Sequence, residues 1–242
     1  MKVRIKFSKN GPIKFIGHLD VMRYFQKAIR RAEVDIAYSK GFSPHQIMSF
    51  AQPLGVGLES DGEYVDVELN SASSSLDVKN KLNAVMNEGI KVESVKRLPE
   101  DAMNAMASVA ASKYLIWIKE GYDLGVDFYS QCVELGKKEH IYIVKKTKKS
   151  EIEMDLKPAI YEMNSQFSGI GSSHSTSSSL ANDAADIHIH SSDLDTCHGL
   201  QCIGNGFLHS ICNRNHALAI CNIDVAIDGQ CILFANGNLQ AL

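Results

Sequence analysis

The chain opens on an alternation. Val3, Ile5 and Phe7 interleave with Lys2, Arg4 and Lys6, the period of a strand with one buried face. Ser8-Lys9-Asn10-Gly11-Pro12 reads as a turn or wide bulge before Ile13–Ile16. The period then lengthens. Leu19, Met22, Phe25, Ile29 and Ala32 keep the spacing of a buried stripe, which predicts a helix from about His18 to Ala32. Val34–Tyr38 reads as a short strand. Val65, Val67 and Leu69 alternate with Tyr64, Asp66 and Glu68, predicting a strand over Glu63–Leu69. One of Ser73 to Ser75 can cap a helix running to about Glu88, with Leu76, Val78, Leu82, Val85 and Met86 facing inward and Gly89 stopping it. Ile90–Val95 supplies a last strand.

Strand, helix, strand, strand, helix, strand is the order of a ferredoxin-like βαββαβ sandwich, so the fold class predicted for residues 1–98 is α+β. Residues 39–58 (SKGFSPHQIMSFAQPLGVGL) follow neither period. Their Phe, Met and Leu content is high for a solvated loop, and the segment is expected to pack across the core or line a groove. Residues 99–111 read as a linker or short connecting helix. A second α+β domain is expected over 112–242: a strand at Lys113–Lys119, a helix at Asp123–Leu135, a strand at His140–Lys145 and a hairpin partner at Glu151–Asp155. This βαββ unit repeats the first in element order only. The stretch 164–182 is Ser/Gly-rich without periodicity and is expected to be mobile. Strand character returns in ALAICNIDVAI and CILFA, with Asp228-Gly229 as a hairpin turn between them.

Composition changes this picture in one place. The net charge of -3 is the sum of unlike parts: through Lys157 there are 24 Lys and Arg against 21 Asp and Glu, and beyond it Arg214 stands alone against seven acids. The lysine-rich front and the acidic tail are different kinds of sequence. An apolar content of 45% supports a true core. No apolar run reaches about 18 residues, so no membrane span is expected. The strand-like opening lacks a signal-peptide core, and the six cysteines make no disulfide framework. A cytoplasmic setting with reduced thiols is expected.

Four groups of residues are candidates for chemistry. On the first helix Arg23, Lys27 and Arg30 share one face with Arg31 beside them, an arrangement that can hold phosphates, an acidic protein, or nothing but water. His18 and Asp20 stand at that helix's start, where Asp20 is explained as a cap and the pair does not face itself as a dyad. In Gly41-Phe42-Ser43-Pro44-His45, Phe42, Ser43 and His45 can contact RNA or another ligand, or serve only structural packing. No strained-elbow motif of the G-x-S-x-G kind supports a nucleophilic Ser43. Lys145, Lys146, Lys148 and Lys149 crowd a hairpin tip that suits a phosphate backbone or simply a soluble edge.

The fourth group is the tail, where six histidines and five cysteines follow residue 173. Cys197, His198 and Cys202 raise zinc as a hypothesis, but C-x-x-C is absent and no metal ligand is assigned. With no glycine-rich phosphate loop and no H-E-x-x-H, neither a cofactor nor a catalytic residue is assigned either.

The stretch FIGHLDVMRYFQKAIRRAEVDIAYSKGFSPHQIMSFAQPLGVGLESDGEYVDVEL carries a resemblance. Its fixed points are Gly17–Asp20, Arg30-Arg31, Gly41-Phe42 with Pro44-His45, and Pro53-Leu54 with Gly57, Ser60, Glu63 and Tyr64. In these it resembles the radical-SAM-linked family of uncharacterised bacterial proteins, DUF2344. The resemblance is strongest over 1–97 and continues more loosely to Asp155-Leu156-Lys157-Pro158, similar to the family's D-x-K-P segment; residues 164–242 depart from the family's usual ending. Because that family's domain stands beside or is fused to a radical SAM protein, the resemblance implies an accessory to a radical SAM enzyme, acting on RNA or ribosome-related substrates. The cluster-binding cysteines of radical SAM chemistry are missing here, which implies that S-adenosylmethionine is cleaved by the partner. Three readings follow: an accessory that binds or presents RNA, a protein–protein adaptor without RNA contact, or an RNA-processing or RNA-modifying enzyme using His18, His45 or Ser43.

Overall fold

The computed structural model describes residues 1–51, 54–118, 128–146, 151–166, 184–190, 218–227, 232–235 and 238–241. It divides into two compact units, residues 1–110 with 222–242, and residues 111–221.

In the first unit β1 (Lys2–Lys9), α1 (His18–Arg31), β2 (Met48–Phe50), β3 (Glu59–Glu68), α2 (Ser75–Val85) and β4 (Ile90–Arg97) follow in that order. β1 runs antiparallel between β4 and β3, and β2 pairs antiparallel with β3. The resulting order, 4-1-3-2, is that of the ferredoxin-like sandwich. Register explains the core: Ile5 stands opposite Val65 and Val95, Val3 opposite Val67, and all are buried with Phe7 under the helices. Phe25 of α1 closes against this face with its ring centroid 4.6 Å from Phe7 and 5.7 Å from Phe50. Burying such a ring contributes about 1.5–3 kcal/mol.

The helices sit slightly turned from the stripe that spacing predicts. Val21, Phe25, Ala28 and Ile29 are the buried residues of α1, while Leu19 is exposed. On α2, Val78 and Leu82 are buried and Leu76 is exposed. Ser74 caps α2 by accepting the Asp77 N–H at 3.0 Å. Gly89 ends the α2 region with φ 93°, and a Cβ there would stand 2.5 Å from the Asn10 carbonyl oxygen. Only glycine permits that approach.

Two expectations change. The second strand is not Val34–Tyr38. Ile36 and Tyr38 make isolated bridges, to Leu69 and Gln46, and the strand proper is Met48–Phe50. Both pieces border β3: the Ala37 N–H donates to Glu68 O at 2.7 Å, Ile47 N–H to Ala37 O at 3.0 Å, and Glu68 N–H to Ile47 O at 3.1 Å. Residues 38–46 are therefore an insertion that leaves the sheet edge and returns to it.

The linker or connecting helix expected at 99–111 is, over residues 99–108, a series of turns, mostly exposed yet anchored to the fold. It covers the sheet face away from the helices, burying Ala105 beside Ala51 and Tyr64. Arg4, turned to this face, is 8% exposed. Its guanidinium donates to both Asp66 oxygens at 2.7 and 2.8 Å and to the Met103 carbonyl at 3.3 Å.

In the second unit β5 (Val109–Ile118), α3 (Phe128–Lys137), β6 (Tyr142–Lys146) and β7 (Glu151–Asp155) reproduce the expected strand–helix–strand–strand order. β6 and β7 form the hairpin. Two further strands, β8 (Ile160–Gln166) and β9 (Ala184–His190), pair antiparallel, and β9 pairs with β5. β9 lay unread in the sequence although Ile187 and Ile189 alternate with His188 and His190. Of the stretch 164–182 expected to be mobile, Asn164, Ser165 and Gln166 instead end β8, and the remainder lies outside the described residues.

β10 (Leu218–Ile227) borders β3, whereas β11 (Ile232–Ala235) pairs with β12 (Asn238–Ala241). The turn of the hairpin expected across Asp228-Gly229 lies outside the described residues. Among the described residues no helix is long and apolar enough to cross a membrane.

Candidate nucleic-acid interface

The four cations of α1 part company in three dimensions. Arg31 turns away to donate to the Val85 carbonyl at 3.0 Å, at the end of α2, with its guanidinium 6.0 Å from the Tyr24 ring centroid. It ties the two helices together. Arg23 pairs with Asp20 at 3.3 Å in solvent. Lys27 and Arg30 remain exposed, and Arg30 Nε donates to its own helix at Gln26 O, 3.3 Å away.

The insertion at 38–46 is built, not slack. Ser39 N–H donates to His45 O at 2.8 Å, closing its neck. The Ser39 hydroxyl accepts the His45 N–H at 3.1 Å and lies 2.8 Å from His45 Nδ1. His45 is thereby engaged by Ser39, not by Ser43, and Ser43 stands exposed near the tip. Gly41, at φ 119°, supplies a backbone turn that side-chain-bearing residues resist. Phe42 beside it is fully exposed.

One atom joins the two regions. Gln46 Nε2 donates to the same Gln26 carbonyl at 3.2 Å and lies 3.4 Å from the Tyr38 hydroxyl. The Gln26 oxygen thus accepts from Arg30 and from the foot of the insertion together. Arg30, Gln46 and Tyr38 therefore meet around this carbonyl, while Lys27 on the same helix and Lys40 and Phe42 on the inserted segment stand exposed. Gln46 is buried, and its Oε1 has no hydrogen-bond partner among the described residues.

A second polar group forms at the other end of α1. Lys9 is 1% exposed, and its Nζ donates to the carbonyls of Ile16 and Lys14 at 3.1 and 3.3 Å. Burial lowers its pKa, while the charge of buried Glu63 acts to raise it. His18, half-buried with its ring centroid 5.2 Å from Phe50, has a pKa lowered by burial first and by Lys9 second. This arrangement ties the turn after β1 to the sheet. His18 and His45 do not share it: Gln46 docks at Gln26, eight residues along α1 from His18, or about 12 Å of helix.

Sequence reading missed Lys9, Gln26 and Gln46. Lys9 alone left a signal, because it continues the inward parity of Val3, Ile5 and Phe7. In the second unit Lys145 and Lys146 close β6 opposite Ile152 and Glu151, while Lys148 and Lys149 lie outside the described residues. So do Cys197, His198 and Cys202. Among the described residues no group of three His, Cys, Asp or Glu is placed to hold a metal ion.

Fold and surface together define an α+β protein on an antiparallel sheet, with exposed cations and rings on an inserted loop and one helix flank. The chain belongs to the family described as an uncharacterised protein conserved in bacteria, DUF2344, whose model matches residues 2–188. The match runs beyond Pro158, through β8 and into β9. No curated protein matches the chain. Among solved structures, a chain in the crystal structure of a Cbf5-Nop10-Gar1 complex is similar over 92% of this chain and 48% of that one, at 8% identity and a TM-score of 0.45. This chain thus spans about half of that one.

Proposed function

We propose that this protein is an accessory that binds RNA and presents it to a radical SAM enzyme. The observation that carries the RNA part is the shared Gln26 carbonyl, which sets the exposed Arg30 beside the foot of the loop bearing Lys40 and Phe42. Cations that neutralise phosphates together with rings that accept bases are what a nucleic-acid strand requires. The radical SAM partner rests on the family resemblance.

The adaptor reading has an observation of its own. Phe15, Leu19 and Val56 are 66%, 60% and 64% exposed. Gly17 lies between Phe15 and Leu19 in the chain, and a Cβ there would stand 4.0 Å from the Val56 side chain. An apolar rim of this kind suits a protein partner.

Capture of the full chain from cell lysate, with and without nuclease, separates the two. Co-purifying RNA that disappears with nuclease while a radical SAM protein remains is the expected result. A partner retained with no RNA in either arm favours the adaptor, and capture of neither overturns both.

A further inference from the structure

We infer that the nucleic acid taken by this surface is single-stranded and that one unpaired base stacks on the Phe42 ring. The inference rests on the RNA-binding reading and goes beyond it by naming the form of the strand. Three observations point the same way.

Phe42 is fully exposed on a loop that is pinned at its neck, by Ser39 and His45, and at its foot, by Gln46 on α1. A ring on a wholly unanchored loop would lose more conformational freedom on binding; here the ends of the loop are already fixed. Lys27 and Arg30, three positions apart and therefore neighbours, lie exposed on the helix to which the foot of this loop is bonded. A backbone can track along that helix while a base turns toward the ring. The loop itself adds a cation, Lys40, and no acid, although Glu33 and Asp35 precede it in the chain.

Chemistry then selects the strand. A duplex presents its phosphates but keeps its bases stacked on one another, so an isolated protruding ring gains nothing from it. An unpaired base offers a π-face to any aromatic group, whatever its sequence.

The test is fluorescence anisotropy on the full chain with a labelled RNA of roughly 12 nucleotides, within the reach of one small domain. The same sequence as duplex RNA and as single-stranded DNA supplies the other arms. The single strand is expected to bind about ten-fold or more tightly than the duplex. Phe42→Ala should remove that preference and leave the salt dependence intact, and Phe42→Trp should keep it. The DNA arm separates recognition of an unpaired base, which both strands share, from recognition of the 2′-hydroxyl.

Because Phe42 has no packing role, loss of fold does not obscure the result; an unchanged unfolding transition checks this. Equal affinity for single strand and duplex overturns the inference, as does a Phe42→Ala chain that still prefers the single strand. If Lys27→Glu/Arg30→Glu weakens binding in those cases, the RNA-binding reading survives without the stack. If no nucleic acid binds at low salt, both fall.

Discussion

The first unit uses its cations in two opposite ways. Lys9 and Arg4 are buried and engaged: Lys9 by the Lys14 and Ile16 carbonyls, Arg4 by Asp66 and the Met103 carbonyl. Lys27 and Arg30 are exposed, and among the described residues Arg30 hydrogen-bonds only its own helix backbone. Counting positive charge treats the four alike. Burial and partners separate those that hold the fold from those left for something outside it.

Removing Lys9 should have the largest effect. Lys9→Ala leaves the Ile16 carbonyl without its ammonium donor and the Lys14 carbonyl with only the Gly57 N–H, and is expected to lower unfolding free energy by about 2–3 kcal/mol in urea titration. Arg4→Met comes next, because it strands the Asp66 carboxylate in the same way. The paired change Arg4→Met/Asp66→Leu should recover much of that loss, since two apolar groups replace a buried ion pair at little cost. A double variant no more stable than Arg4→Met would remove Arg4 from the buried class.

The exposed pair should behave in reverse. Lys27→Glu/Arg30→Glu is expected to leave stability within about 0.5 kcal/mol. It should flatten the salt dependence of single-strand RNA binding by about 0.7 in log–log slope for each phosphate no longer neutralised. Destabilisation by this pair would break the division.

pH gives the smaller effects. The folded pKa of His18 lies below 6.5, so the unfolded chain binds the extra proton first and stability falls as pH drops below 6.5. His18→Gln should remove that slope from thermal unfolding curves. Asp155 of the second unit behaves as a fold-holding group: hydrogen bonds from His140, Ile141 N–H and Lys157 N–H bring its pKa down to about 2 from 3.8. Its contribution is full above 3.8 and is lost as pH falls toward about 2, and Asp155→Asn should flatten unfolding curves in that window alone.

Much of the fold was legible because it rests on local period. β1, α1, β3, α2 and β4 each announce themselves in the spacing of their apolar residues, and their order yields the sandwich. What stayed hidden depends on distant partners. Arg31 reads as one of four surface cations until Val85, 54 residues on, takes its guanidinium. Arg4 falls on an outward parity and is buried only because 99–110 folds back over it. The second strand escaped because 38–46 interrupts it, so neither piece is long enough to show a period. At the site, the helix cations and the loop residues were each visible, but nothing in the chain spacing shows that Gln26 and Gln46 meet.

The insertion has a consequence for how such a protein can diversify. Its two ends are held by backbone bonds that no side chain specifies: Ala37 and Ile47 bond to each other and to Glu68 whatever residues lie between. Segments of other lengths and compositions can therefore be grafted between the same two anchors without shifting the sheet register. The loop is a separately anchored platform that holds the family's fixed points Gly41-Phe42 and Pro44-His45, and a change within it should alter what the surface takes without moving the sheet beneath it.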